Sequence, residues 1–182
     1  MKKIKFLSLL LLTAIVSGNS FAQTKMVGGA AMYPTKNIVE NAVNSKDHTT
    51  LVAAVKAAGL VPTLESAGPF TVFAPTNKAF DALPAGTVSS LLKPENKAKL
   101  TSILTYHVVP GKLSSQDLMK MIKMKDGKAT LKTVQGENLY ASMKGKHLMI
   151  SDDNGNSAEV TIADVNQSNG VIHVVNKVLL PK

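Results

Sequence analysis

The stretch from Phe70 to Phe80, which reads Phe-Thr-Val-Phe-Ala-Pro-Thr-Asn-Lys-Ala-Phe, constrains the fold more than any other part of the sequence. Its first four residues are aromatic or β-branched, a composition typical of a half-buried strand. Pro75 has no N–H to donate to a neighbouring strand and therefore ends this one. Thr76 is predicted to cap a helix, because its hydroxyl can accept from a backbone N–H two or three residues later. The stretch therefore predicts a strand followed directly by a helix.

Helical and strand patterns occupy different halves of the chain. Between Asn37 and Met121, apolar residues recur mainly at spacings of three and four, except in the strand that begins at Phe70. After Lys125 the period changes to two, and Asn154-Gly155 is a strong hairpin signal. Helices followed by a run of antiparallel strands indicate an α+β domain.

The N-terminal residues 1–22 are predicted to be a secretory signal peptide. They combine a basic start, an apolar run from Phe6 to Val16, and small residues at Ser20 and Ala22. The apolar run is too short to span a bilayer, which needs about 20 residues, and no later stretch predicts a transmembrane helix. We therefore expect cleavage before Gln23, a flexible leader over residues 23–34, and one folded domain over residues 35–182.

Composition narrows the classes of partner. The chain has no cysteine, which excludes disulfides and thiolate metal sites. Three of its 21 basic residues precede residue 23, which leaves 18 lysines against 12 acidic residues and no arginine. Without guanidinium groups for bidentate contacts, and with few aromatic residues, nucleic-acid recognition is not expected. Exposed lysines can attract anionic polymers, or they can serve only to keep the protein soluble.

No motif predicts catalysis or a cofactor. The sequence lacks a Gly-x-Ser-x-Gly elbow and a phosphate-binding glycine loop, so we predict no enzyme activity and no catalytic residues. The four histidines have no zinc-ligand spacing, and His107 and His173 are expected to be hydrogen-bonded residues near the core. Thioethers favour Cu(I), so a periplasmic carrier of copper or of haem is the alternative function, although methionine is more often core filler. The candidate copper ligands are Met119, Met121 and Met124.

Three segments together resemble a known family. Phe70–Phe80 is followed by Leu83-Pro84, Leu104–Gly111 contains a tyrosine and a histidine in apolar company, and Asn169–Pro181 is rich in valine. In this order they resemble the signature segments of fasciclin-type (FAS1) domains, and the resemblance covers the chain after Pro34. It implies a single-domain β-sandwich wedge with N-terminal helices packed along its edge.

The resemblance also implies a function. Fasciclin-like domains are extracellular adhesion and interaction modules, so a secreted or periplasmic, non-enzymatic binding protein is expected. In animal members, receptor binding is linked to two places, which are matched here by Tyr106-His107 and by Asp164-Val165, with valine in place of the usual isoleucine. The alternative is that these residues mainly determine the fold.

A lysine-rich segment supplies the last candidate site. From Lys112 to Lys146 the chain has eight lysines but only three acidic residues, Asp117, Asp126 and Glu137. We expect this segment to face an extracellular or envelope protein or an anionic polysaccharide, with the shape of the site supported by Tyr106, His107 and Asp164. The lysines expected to contribute most are Lys120, Lys123 and Lys125. The sequence leaves the ligand and the oligomeric state open.

Overall fold

The computed structural model describes residues 24–182. The helices are α1 (Ile38–Ala42), α2 (Thr49–Ala58), α3 (Val61–Glu65), α4 (Asn77–Asp81), α5 (Thr87–Leu91), α6 (Lys97–Tyr106) and α7 (Ser115–Met124), with short 3-10 turns at Lys46–His48 and Pro94–Asn96. The strands are β1 (Lys25–Val27), β2 (Ala30–Met32), β3 (Phe70–Pro75), β4 (Val108–Pro110), β5 (Lys128–Lys132), β6 (Asn138–Lys144), β7 (His147–Ser151), β8 (Ser157–Gln167) and β9 (Gly170–Val175). Within the described range, no helix has the length and apolar character needed to cross a membrane. The predicted signal peptide, residues 1–22, lies outside the described residues.

Seven strands form one mixed sheet in the order β4-β3-β9-β8-β7-β6-β5. Only the β3–β9 pair is parallel among these neighbours. The long strand β8 pairs with both β7 and β9, and its register shifts between Val160 and Val165. The two sheet edges approach each other, since the Val134 N–H donates to the Val108 carbonyl at 2.8 Å. The α+β class is confirmed, and the sheet curls into a nearly closed barrel.

The first half of the Phe70–Phe80 stretch is β3, which lies in this sheet between β4 and β9. Thr76 caps α4 as predicted, with its hydroxyl accepting from the Ala79 N–H at 3.3 Å. Phe73 is fully buried and Phe80 almost fully, whereas Phe70 is half-buried. Because alternate side chains of a strand point to opposite faces, Phe70 and Phe73 serve different cores.

The sheet separates two apolar cores. On one side, α1 to α6 and the β1–β2 hairpin cover a core that includes Ile38, Val55, Leu104 and Ile172. On the other side, α7 packs with Leu118 and Ile122 against the inner face of the barrel. We call this second core the inner core. Its buried residues are Phe73, Tyr106, Val109, Leu118, Ile122, Ala129, Leu131, Leu139, Ala141, Leu148, Ile150, Ala158, Val175 and Leu179.

The segment expected to be a flexible leader is instead a packed hairpin over most of its length. Val27 of β1 and Met32 of β2 are 4% and 3% exposed. The turn between them contains Gly28 and Gly29, both at positive φ, which is the backbone that a tight hairpin turn requires. A Cβ at Gly28 would lie 2.3 Å from the Ser45 hydroxyl oxygen. Strands of three residues are too short to show an alternating pattern, so composition alone suggested a leader.

Candidate functional site

Tyr106 and His107 lie where α6 ends, and both are buried. The Tyr106 hydroxyl donates to the Asn138 carbonyl at 2.7 Å, and burial raises its pKa to about 12. The Leu179 N–H donates to Nε2 of His107, so Nδ1 carries the proton and donates to the Ile103 carbonyl at 2.9 Å. Burial lowers the pKa of His107 to about 4. The pair ties α6 to β6 and to the C-terminal segment, and a partner at the surface would not contact it directly.

Asp164 and Val165 lie at the register shift of β8. Val165 is 1% exposed, and Asp164 adopts the left-handed region with φ 57°. The Asp164 carboxylate accepts from the Ser115 N–H at 2.7 Å and from the Ser115 hydroxyl at 2.5 Å. Asp164 therefore attaches the start of α7 to β8.

His173 completes this attachment from β9. The Asp164 N–H donates to Nδ1 of His173 at 3.3 Å, so Nε2 carries the proton and donates to the Leu113 carbonyl at 2.9 Å. Burial is the main cause of a lowered pKa at His173. Among the described residues, no hydrogen bond links Tyr106 or His107 to Asp164 or Val165, so the two predicted pairs do not form one polar site.

The lysines lie at the surface, in contrast. On α7, Leu118 and Ile122 face the core, whereas Lys120 and Lys123 are exposed, and Lys125 follows at the helix end. We call the eight lysines between residues 112 and 146 the basic surface, and every one of them is exposed. Its members are Lys112, Lys120, Lys123, Lys125, Lys128, Lys132, Lys144 and Lys146.

These positive charges are poorly neutralised within the chain. The lysines that make ion pairs in residues 24–182 are Lys93 and Lys182, so none of the eight lysines of the basic surface makes one. Asp117, one of the three acidic residues in the segment, accepts from the Ser114 hydroxyl and N–H in a capping box. Those Ser114 donors are the main cause of its lowered pKa.

Two lysines of the basic surface lie on β5, on the outer face of the sheet, which is turned away from the core that α7 covers. In β5, Ala129 and Leu131 point to the core, and the exposed Lys128 and Lys132 point away from it. The Lys128 ammonium lies 4.0 Å from the centre of the Tyr140 ring, a cation–π contact. Sequence reasoning missed Tyr140, although the alternation in β5 and β6 places it on the same face as Lys128.

The proposed copper ligands do not converge. A regular α-helix turns by about 100° per residue, so Met119 and Met121 are separated by about 200° around α7. Met121 packs against the inner core, whereas Met124 is 72% exposed. No group of three histidine or acidic residues within residues 24–182 is arranged to hold a metal ion. The geometry therefore gives the copper carrier no support.

Comparison with known proteins assigns the fold to a family. The Fasciclin domain family matches residues 46–181. Protein sll1483 from Synechocystis sp. is 48% identical over 159 residues, covering 87% of this chain and 81% of its own length. Cell surface glycolipoprotein MPB83 from Mycobacterium bovis is 36% identical over 161 residues, covering 85% of this chain and 64% of its own length.

A solved structure supports the same fold. The FAS1 domain pair from the insect cell adhesion molecule Fasciclin I aligns with a TM-score of 0.69 at 18% identity. The alignment covers 78% of this chain and 50% of that chain, consistent with one of its two domains. The sequence match and the curled α+β sheet agree, and the chain belongs to the Fasciclin domain family, with a single FAS1 domain.

Proposed function

We propose that this protein is an exported, non-enzymatic interaction module whose basic surface binds an anionic partner at the cell envelope or outside the cell. The partner is an acidic polysaccharide or an acidic protein. Membership of the Fasciclin domain family supports an adhesion-type role, as do the names of two similar proteins, a cell adhesion molecule and a cell surface glycolipoprotein.

The observation that carries the proposal is the set of eight exposed lysines that make no ion pair within the described residues. An ammonium group is a compact charge on a flexible stem, so it attracts anions without strict geometry. Such attraction falls steeply as salt rises. The surface therefore suits a polymer that presents many negative charges.

The buried residues have a supporting role in this proposal. Tyr106 and His107 hold the end of α6, and Asp164 holds the start of α7, which bears Lys120 and Lys123. A Tyr106→Ala change should lower the melting temperature first, and should weaken binding only through the loss of folded protein. Val165 is buried in the core under the N-terminal helices, on the other side of the sheet from the core that α7 covers.

Export is part of the same proposal. We expect the exported protein to begin at Gln23, because Ser20 and Ala22 provide the small residues that a signal peptidase requires. Mass analysis of the N-terminus tests this directly. A membrane-bound product that retains Met1 would contradict it.

Binding is tested with two variants of equal charge change. One replaces Lys120, Lys123 and Lys125 with glutamine; the matched control replaces Lys46, Lys78 and Lys99, which are exposed elsewhere. Each variant is used to capture partners from envelope extract and from host matrix, at low and at high salt. We expect the first variant to capture less at low salt and the control to match wild type. If the first variant captures as much as the control, the lysines of the basic surface serve only to keep the protein soluble.

A further inference from the structure

Asparagine is followed by glycine at two places in the sequence, Asn154-Gly155 and Asn169-Gly170. Asparagine is a thermolabile residue, because the backbone nitrogen of the next residue can attack its side-chain amide carbon. A glycine in the next position has no Cβ to hinder this approach. The two pairs share the same chemistry but differ in their surroundings, so the structure determines which of them reacts.

The pair Asn169-Gly170 is protected by the fold. Asn169 is 6% exposed, and Gly170 is buried at the start of β9. The Asn169 NH2 group donates to the Leu64 carbonyl at 2.8 Å and to the Ser66 carbonyl at 2.9 Å. Its side-chain oxygen accepts from the Ile38 N–H at 3.1 Å. Because these bonds fix the side chain, attack by the Gly170 nitrogen requires local unfolding.

The pair Asn154-Gly155 is exposed, in the turn between β7 and β8. The Gly155 N–H makes only a long hydrogen bond, 3.4 Å to the Asp152 carbonyl. The Asn154 NH2 group donates to the Leu180 carbonyl at 2.8 Å and to the Pro181 carbonyl at 3.3 Å. These contacts attach the turn to the C-terminal segment. They lie at the surface and open without unfolding of the core, which allows the Gly155 nitrogen to attack.

We propose that Asn154 is a site of spontaneous deamidation, and that the reaction releases the C-terminal residues that Asn154 holds. The Gly155 nitrogen gives its proton to the solvent and forms a bond to Cγ of Asn154. The bond from Cγ to the amide nitrogen breaks, and that nitrogen takes up a proton and leaves as ammonia. Water then adds across one of the two C–N bonds of the succinimide ring, which gives aspartate or isoaspartate at position 154. No electrons are gained or lost.

The product cannot hold the C-terminal segment in the same way. A carboxylate has no N–H to donate, so the hydrogen bonds to the Leu180 and Pro181 carbonyls are lost. The new negative charge also lies two residues from Asp152, whose carboxylate accepts from the Leu180 N–H at 3.0 Å. We expect the chain from Leu180 to Lys182 to open more often, while the fully buried Leu179 stays in place.

The first measurement locates the reaction. The exported protein is incubated in buffer made with heavy-oxygen water, at neutral and at mildly alkaline pH, and is then digested in ordinary water. Mass spectrometry with fragmentation identifies each residue that has gained a heavy oxygen. We expect position 154 to react at least about tenfold faster than position 169, which must first unfold locally. The reaction should also be faster at alkaline pH, since the Gly155 nitrogen must lose its proton. Equal rates at the two positions, or no uptake at position 154, would overturn the proposal.

The second measurement tests the consequence. Amide exchange of the Leu180 N–H is compared in wild type, in Asn154→Asp, which carries the charge of the product, and in Asn154→Gln, which keeps an amide donor. We expect exchange about fivefold faster in Asn154→Asp, the factor that one hydrogen bond of ordinary strength provides. Asn154→Gln should exchange like wild type and take up no heavy oxygen. If Asn154→Asp exchanges as slowly as wild type, deamidation does not release the C-terminal residues and the proposal is overturned.

Discussion

Three histidines are buried, and hydrogen bonding fixes the proton position in two of them. His107 and His173 each donate from one ring nitrogen to a backbone carbonyl and accept a backbone N–H on the other. A second proton on either ring would displace an accepted N–H and place a charge in the core. Burial disfavours a charged ring and is the main cause of the lowered pKa values of His48, His107 and His173.

The lowered pKa values predict loss of stability in acid. The pKa of His107 is about 4 in the folded protein and about 6.5 when unfolded. The unfolded state therefore binds more protons between these values, so the contribution of His107 is complete above about pH 6.5 and is lost as the pH falls toward 4. His107 alone should contribute about 3 kcal/mol, at roughly 1.4 kcal/mol per pKa unit. Urea unfolding of wild type and His107→Gln across this range measures it, and equal pH slopes would refute it.

Phe73 supplies a second prediction at the residue scale. It is fully buried in the inner core, whereas Phe70 on the opposite face is half-buried. We expect Phe73→Ala to lower the free energy of unfolding by about 3–5 kcal/mol, the usual cost of truncating a buried phenylalanine, and Phe70→Ala to cost less. Denaturant unfolding of the two variants and of wild type measures both free-energy costs. Costs below about 1 kcal/mol for both would show that β3 is not central to stability.

Among the elements, α7 depends most on a contact that is distant in sequence. Its first residue, Ser115, is held by Asp164, which lies 49 residues further along the chain. Asn tolerates the left-handed backbone of Asp164, whereas Ala does not. Asp164→Ala therefore loses both the charged hydrogen bonds and a favourable backbone, and should cost about 2–4 kcal/mol.

Asp164→Asn is the matched variant: it loses the charge and replaces one acceptor oxygen with an NH2 group, from which the Ser115 hydroxyl can accept instead, so it should cost about 1 kcal/mol. Denaturant unfolding gives the two costs, and amide exchange in Ser115–Met124 shows whether α7 detaches before the rest of the domain. If both variants cost the same, the left-handed backbone of Asp164 makes no separate contribution, and if both cost less than about 1 kcal/mol, Asp164 does not determine how α7 is held.

The helices and strands also show which parts of the fold can be predicted from the sequence. The strand at Phe70, the Thr76 cap and the alternating strands after Lys125 were predicted correctly, because each depends on neighbours in sequence. The parallel β3–β9 pair and the closure between Val108 and Val134 depend on tertiary pairing, which local pattern does not encode. The hairpin at Gly28-Gly29 had a local signal in its two glycines, but its strands were too short to confirm it.

In the candidate site too, some features could be predicted from the sequence and others could not. The lysine-rich segment was predicted from its charge balance, and the structure places Lys120 and Lys123 away from the apolar face of α7. A hydrogen-bonded His107 near the core was predicted from its apolar neighbours, but its partners, and the contacts of Tyr106 with β6, depend on segments distant in sequence. Family resemblance located these residues, and the structure favours the alternative that they mainly determine the fold, since their hydrogen bonds are internal.

At the scale of the whole molecule, charge is unevenly distributed. The formal net charge of the full sequence is +9, and the basic surface concentrates eight lysines in a segment with three acidic residues. Exposed charges contribute little to stability, so their removal should alter binding and leave the melting temperature nearly unchanged. Measuring both the binding and the melting temperature of the lysine variant therefore distinguishes a binding role of these lysines from a folding role.

The most direct test of the central proposal is the affinity of the exported protein for alginate, a carboxylated polysaccharide, at about 50 mM and about 500 mM salt. We predict that wild type binds at low salt and loses at least about tenfold in affinity at high salt. The Lys120, Lys123 and Lys125 to glutamine variant should bind weakly at low salt, while the Lys46, Lys78 and Lys99 control binds like wild type. Low-salt binding of the first variant as tight as that of wild type would contradict the assignment of the basic surface.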